Sequence, residues 1–207
     1  GMGAGLAYVV PIAVAIRWFP NNKGLVTGLA VAGFGGGAAL VSHVAAWLMS
    51  RHGATPYDVF RILGSVFICL VPLAGLTMRY PAGEAAGPAA AGGGLRLLSQ
   101  PAFRVLYGAM LVGLAAGFTV NANLRQLGGS LSLGSGVAAV SLFAVANAAG
   151  RLIWGAWFDQ VRAATAVALN LFSQALAVAA GIWMIRSEAG FLVFAALAGF
   201  NYGGVLV

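Results

Sequence analysis

The chain has 207 residues, of which 61% are hydrophobic and only 7% charged, with a net charge of +7. A soluble domain carries roughly 25% charged residues, so this composition excludes a soluble enzyme, a nucleic-acid-binding module and a disordered linker. The eleven basic residues stand singly between long apolar runs, which is the pattern of membrane-topology signals and not of a clustered nucleic-acid footprint.

A membrane span needs about 20 apolar residues to cross a hydrocarbon core of ~30 Å. Seven runs qualify or nearly so: residues 1–16, 25–49, 59–78, 103–123, 133–155, 163–185 and 189–207. Their length predicts helices, since membrane strands alternate over about ten residues. The expected fold is all-α membrane protein. The first run opens without a basic leader or a cleavage site and the last stops within apolar sequence, so the chain is expected to be a piece of a longer protein. Between the first two runs lies Arg17-Trp18-Phe19-Pro20-Asn21-Asn22-Lys23-Gly24, whose proline and glycine end one helix and admit the next.

On the second run, Gly24, Gly28, Ala32 and Gly36 recur every four residues and share a helix face, with Gly33 widening the patch. Small residues at this spacing let a neighbouring helix backbone come close. Tight packing is the simple reading, and sliding of one helix on another in a transport cycle is compatible with it. The stretch 79–102, with Pro81, Gly83, Gly87 and Pro88, has flexible-linker composition and divides three spans from four. The expected organisation is therefore 1–78 as the end of one helical half, 79–102 as a central linker and 103–207 as the start of a second half. Arg17, Lys23, Arg79, Arg96, Arg104, Arg151 and Arg162 fall on one side and Arg51, Arg61, Arg125 and Arg186 on the other. The richer side, which holds the linker, is expected in the cytoplasm.

Arg151, in Asn147-Ala148-Ala149-Gly150-Arg151-Leu152-Ile153-Trp154-Gly155, is the exceptional cation. It precedes Asp159, the expected end of its span, by eight residues, or about 12 Å along a helix. An ionisable group at that depth points to function. Its planar fork of donors suits a carboxylate, and Asn147 lies one turn away on the same face. Asp159 and Arg162 stand together at the span end. The pattern A-G-x-x-Y occurs at Ala4 to Tyr8 and again at Ala198 to Tyr202, six spans apart, as expected of parallel six-span repeats, and tilts both tyrosines toward lining a cavity. No phosphate-binding loop, metalloprotease motif or paired intramembrane carboxylate occurs, and the single Cys69 makes neither a disulfide nor a cysteine metal site. No enzyme activity, metal or cofactor is expected.

The stretch from Arg17 to Gly28, continuing through Gly33, Phe34 and Gly35, resembles the junction of the fourth and fifth helices in the oxalate/formate antiporter family of the major facilitator superfamily. Gln100-Pro101-Ala102-Phe103 resembles the start of that family's seventh helix, and Asn147 to Asp159, with Gly150, Arg151 and Gly155, its eighth helix and following loop. The resemblance implies a twelve-helix fold in two six-helix halves, of which this chain holds the fourth to the tenth helix. It implies secondary transport of a small mono- or dicarboxylate by alternating access, by antiport or proton symport. Arg151 takes the position of the substrate-binding arginine, and Tyr8, Phe34 and Tyr202 those of aromatic wall residues, with Asn147 beside them. Asp159, Arg162 and Gly155 fall in a conformational loop. This chain departs from the family's oxalate transporter: Phe34 lacks the hydroxyl found there, Tyr202 replaces a tryptophan and Leu206 a tyrosine, which leaves a monocarboxylate or a bulkier acid open beside oxalate. Gln160 and Arg162 also depart from the superfamily's loop pattern. The expected partners are the carboxylate, protons and the lipid bilayer, with no nucleic acid; a monomer in a bacterial inner membrane is expected. A non-transporting sensor or scaffold on the same fold is the alternative.

Overall fold

The computed structural model describes residues 2–82, 98–130 and 135–207, with side chains except those of residues 2–7, 34–36, 38 and 39. Among the described residues there are seven long helices and no strand: α1 (Met2–Trp18), α2 (Lys23–His52), α3 (Pro56–Thr77), α4 (Pro101–Gly129), α5 (Ser135–Phe158), α6 (Ala163–Met184) and α7 (Glu188–Val205). Five of them, α3 to α7, are long and apolar enough to cross a membrane; α1 and α2 carry shorter apolar stretches, Tyr8–Trp18 and Lys23–Gly33, among the described residues. The protein is a multi-pass membrane protein. The central part of the expected linker, residues 83–97, lies outside the described residues.

Local chemistry sets the helix ends. Gly53 closes α2 in the left-handed conformation, φ 62°, and its N–H donates to the Leu48 carbonyl. Thr55 then opens α3 with a capping box: its hydroxyl oxygen accepts from the Asp58 N–H at 3.3 Å, and its own N–H donates to Asp58 Oδ2 at 3.1 Å. Pro56 occupies the first turn, where a missing N–H costs nothing. The helix α4 runs six residues past the expected end of its span. Asn121, Asn123, Arg125 and Gln126 continue the helix instead of ending it, and Asn123 donates back to the Thr119 carbonyl at 2.7 Å.

The helices α4 to α7 form the densest cluster, with α5 and α7 in the most extensive contact; α2 packs along α5, and α1 along α2. The buried core comprises Leu124, Ala139, Phe143, Phe191, Phe194, Ala195, Ala198 and Tyr202. Close approach of α5 and α7 depends on Gly199 and Gly203, which lie against the backbones of Phe143 and Asn147. Among the described residues the helix α3, by contrast, touches only α2 and exposes Phe60 (77%), Ile68 (76%) and Leu76 (71%), the surface expected of a helix facing lipid.

One end of the bundle is tied together. Trp18 Nε1 donates to the Arg79 carbonyl at 2.8 Å, and the Arg17 guanidinium sits 4.3 Å from the centre of the Tyr80 ring. These contacts bring the α1–α2 junction to the end of α3, as the alternation of basic loops requires.

A candidate anion site at the contact of α2, α5 and α7

The helix α2 begins without a local cap. Asn22 precedes it but makes no side-chain capping bond. Asp159, just beyond α5, takes that role from 135 positions away: Oδ1 accepts from the Gly24 N–H at 2.7 Å and Oδ2 from the Leu25 N–H at 2.9 Å. A carboxylate at a helix N-terminus satisfies free amides and complements the helix dipole. No ion pair joins Asp159 to Arg162 among the described residues. Arg162 is exposed and stands at the start of α6, without a side-chain capping bond.

From that end α2 and α5 run antiparallel in close contact. A Cβ at Gly24 would collide with the Gly155 carbonyl, one at Gly155 with the Gly24 carbonyl, and one at Gly28 with the Arg151 carbonyl. Gly33, expected on the same packing face, meets nothing within 4 Å. It stands two residues beyond Val31, whose carbonyl Arg151 reaches. The surroundings of Gly36 and the side chain of Phe34 lie outside the described residues.

At the inner end of this contact Arg151 reaches across. Its Nε donates to Asn147 Oδ1 at 3.2 Å, and Nη1 donates to the carbonyl of Val31 on α2. Tyr8 on α1 and Tyr202 on α7 both lie within electrostatic range of the guanidinium. Four of the five expected substrate-binding residues, Arg151, Asn147, Tyr8 and Tyr202, are thus brought together from α1, α5 and α7. The two tyrosines of the A-G-x-x-Y echo both act electrostatically on one cation. Tyr202 is largely buried, 7% exposed, and presents little more than an edge. Its ring lies beside Phe143 (centroids 5.8 Å) and Phe118 (5.9 Å, edge-on).

A polar network was not singled out from the sequence. Asn170 Nδ2 donates to the Asn201 carbonyl at 3.1 Å. The Ser173 hydroxyl bonds both the Asn170 carbonyl, at 2.9 Å, and Asn201 Oδ1, and Gln174 Nε2 donates to the Gly113 carbonyl at 2.9 Å. These bonds knit α6 to α7 and α4. Positions 170, 173 and 174 share a helix face, which was the available signal. Among the described residues, Trp154 Nε1 and Gln174 Oε1 are buried without a partner. A cavity of about 330 Å³ lies between α4, α6 and α7 beside Asn170 and Gly204 and includes none of the expected site residues. Among the described residues, no group of three His, Cys, Asp or Glu is placed to hold a metal ion.

A half-buried guanidinium with an amide bonded to it and two phenols in electrostatic range has the chemistry to bind an anion. The family pattern of the Major Facilitator Superfamily matches residues 1–207. The chain is 28% identical to the oxalate:formate antiporter of Oxalobacter formigenes over 99% of its own length and 50% of that protein. It is 32% identical to apicoplast pyruvate carrier 1 of Toxoplasma gondii over 40% of its length and 20% of the carrier. It is 21% identical to the uncharacterized MFS-type transporter YhjX of Escherichia coli K12 over its full length and 53% of that protein. The chain thus spans about half the length of two of these relatives and a fifth of the third.

Proposed function

The chain belongs to the Major Facilitator Superfamily, and from that premise we propose that it forms part of a secondary active transporter of a small organic anion, a mono- or dicarboxylate. The observation that carries this reading is Arg151: a cation within an apolar helix, hydrogen-bonded to Asn147 and facing Tyr8 and Tyr202. An intramembrane arginine needs a compensating partner, and a carboxylate offers a bidentate one. The two relatives whose names state a cargo, oxalate:formate and pyruvate, carry small carboxylates. Phe34, whose side chain lies outside the described residues, is proposed as a further wall residue.

In this reading residues 1–78 close one helical half, 79–102 link the halves and 103–207 open the second. The end of the bundle that holds Asp159 faces the cytoplasm of a bacterial cell, and the transporter works as a monomer. In this reading the ties between α2 and α5 hold that end closed. Asp159 clamps the start of α2, Gly24, Gly28 and Gly155 allow contact, and Arg151 bonds the Val31 carbonyl. An incoming carboxylate competes with that carbonyl for the guanidinium. Binding therefore weakens one tie between α2 and α5, and opening at that end requires release of Asp159 as well. Arg162, exposed in the same turn, biases that equilibrium through its charge. Exchange of anions and symport with a proton are both compatible with this arrangement.

The test is uptake of labelled formate, oxalate and pyruvate by the full-length protein in proteoliposomes. Arg151→Ala should abolish uptake of the transported acid, and Arg151→Lys should retain charge but lose affinity by tenfold or more, for want of the planar fork. Uptake by Arg151→Ala at the wild-type rate and KM overturns the binding role. Ligand binding without flux in the wild type assigns the protein instead as a sensor or scaffold.

A further inference from the structure

Tyr202 is held by more than its aromatic neighbours. Its ring lies over Gly117 of α4, a buried glycine for which neither a turn nor a helix end supplies a reason. A Cβ at Gly117 would stand 2.6 Å from Tyr202 Cγ and 2.7 Å from Cε2, and closer still to Cδ2. Carbon atoms in contact normally keep 3.5 Å or more, so a single methyl forces the ring back by about 1.5 Å. Phe143 of α5 lies tilted beside the ring and Phe118 of α4 meets it edge-on. Retreat from α4 therefore presses the ring toward Phe143 and shifts where the phenol stands relative to Arg151, which it influences electrostatically. Gly113 and Gly128 of α4 are also closely packed, but against residues other than Tyr202, and Gly108 meets nothing within 4 Å.

We propose that Gly117 is a positioning residue for the anion site: its bare backbone is the seat of the Tyr202 ring and sets where that phenol stands relative to Arg151. The inference rests on the anion-site reading above and adds to it a residue that touches no substrate. Its consequence is selectivity by size. A ring pushed off its seat narrows the space beside Arg151, so a three-carbon acid loses more than formate does. Displacement by ~1 Å at a binding group costs up to about a hundredfold in productive binding, and a wall residue is expected to cost less, roughly tenfold.

The experiment is a double-mutant cycle in the full-length protein reconstituted in proteoliposomes, with formate, oxalate and pyruvate as probes. Gly117→Ala should raise KM for the transported acid roughly tenfold, more for the larger probes, while the maximal rate changes less than twofold. In the Tyr202→Ala background, where the seat is empty, Gly117→Ala should change KM less than twofold. Gly108→Ala should match the wild type throughout. Should Gly117→Ala alone fail to fold, recovery of folded protein in the Gly117→Ala, Tyr202→Ala pair carries the same conclusion, because the methyl then acts through the ring. Equal KM changes in both backgrounds, a wild-type KM for Gly117→Ala, or failure of both the single variant and the pair to fold overturns the proposal. Absence of flux and binding for all probes in the wild type overturns the anion-site reading itself, and this inference with it.

Discussion

Asp159 illustrates how one side chain can join two distant parts of a chain. Its two oxygens accept the Gly24 and Leu25 amides, and a carboxylate at a helix N-terminus contributes up to about 2 kcal/mol where partly shielded. Asp159→Ala should open this end of the bundle. A cysteine placed at Leu25, in a protein lacking Cys69, should react with a water-soluble maleimide several-fold faster in Asp159→Ala than in its parent. Asp159→Asn, which keeps one acceptor but loses the charge, should fall between them. Asp159 was legible from its place at a span end, whereas its partners were not. Asn22 stands just before α2 but makes no side-chain capping bond, and only the approach of α5 shows that the cap comes from 135 residues away. Arg151 was legible for the same reason, a charge in apolar sequence. That it spends one nitrogen on the Val31 carbonyl was not, because a backbone acceptor has no sequence signature.

Between elements, glycine decides how near two helices come. Along α2 the small residues are unequal. Gly24 and Gly28, on the regular stripe, lie against α5, whereas Gly33, beside it, meets nothing within 4 Å. Thermal unfolding of purified protein in detergent should separate them. Gly28→Ala forces a methyl into the Arg151 carbonyl and should cost about 1–3 kcal/mol. Gly33→Ala should be neutral or slightly stabilising, since alanine favours a helix over glycine. The periodicity of four announces a packing face and leaves open where the partner helix departs. The buried amides behave likewise. Asn201→Ala removes the Ser173 bond while leaving the Asn201 carbonyl for Asn170, and the same measurement should show a loss of about 1 kcal/mol, typical of side-chain hydrogen bonds within membranes. Asn170, Ser173 and Gln174 were readable as one polar face of α6, but a polar face in a span fits a pore, a helix contact or both until its neighbours are known.

For the whole molecule, the contrast is between helices enclosed by others and helices that meet lipid. The core gathers on α4, α5 and α7, whereas α3 exposes large apolar side chains along its length. A charge on that surface should oppose insertion: Ile68→Arg should cost about 2.5–3.5 kcal/mol at the centre of a span, read as a reduced inserted fraction when α3 is tested as a segment in a membrane-insertion assay. Ile68→Leu should insert as the parent does.

Hydropathy, run length and the proline and glycine between runs sufficed for a helical membrane protein, for the junction at Pro20 and for a cation deep in α5. These are local properties: the cost of burying a charge or an open backbone group in lipid is the same wherever the helix stands. The Arg151 site depends on something else. Tyr8, Asn147 and Tyr202 come from three helices, Val31 offers only its carbonyl, and Gly117 matters only because a ring from α7 rests on it. Such contacts between distant residues depend on how closely each helix pair approaches and where it parts, and the packing of the helices as a set decides that.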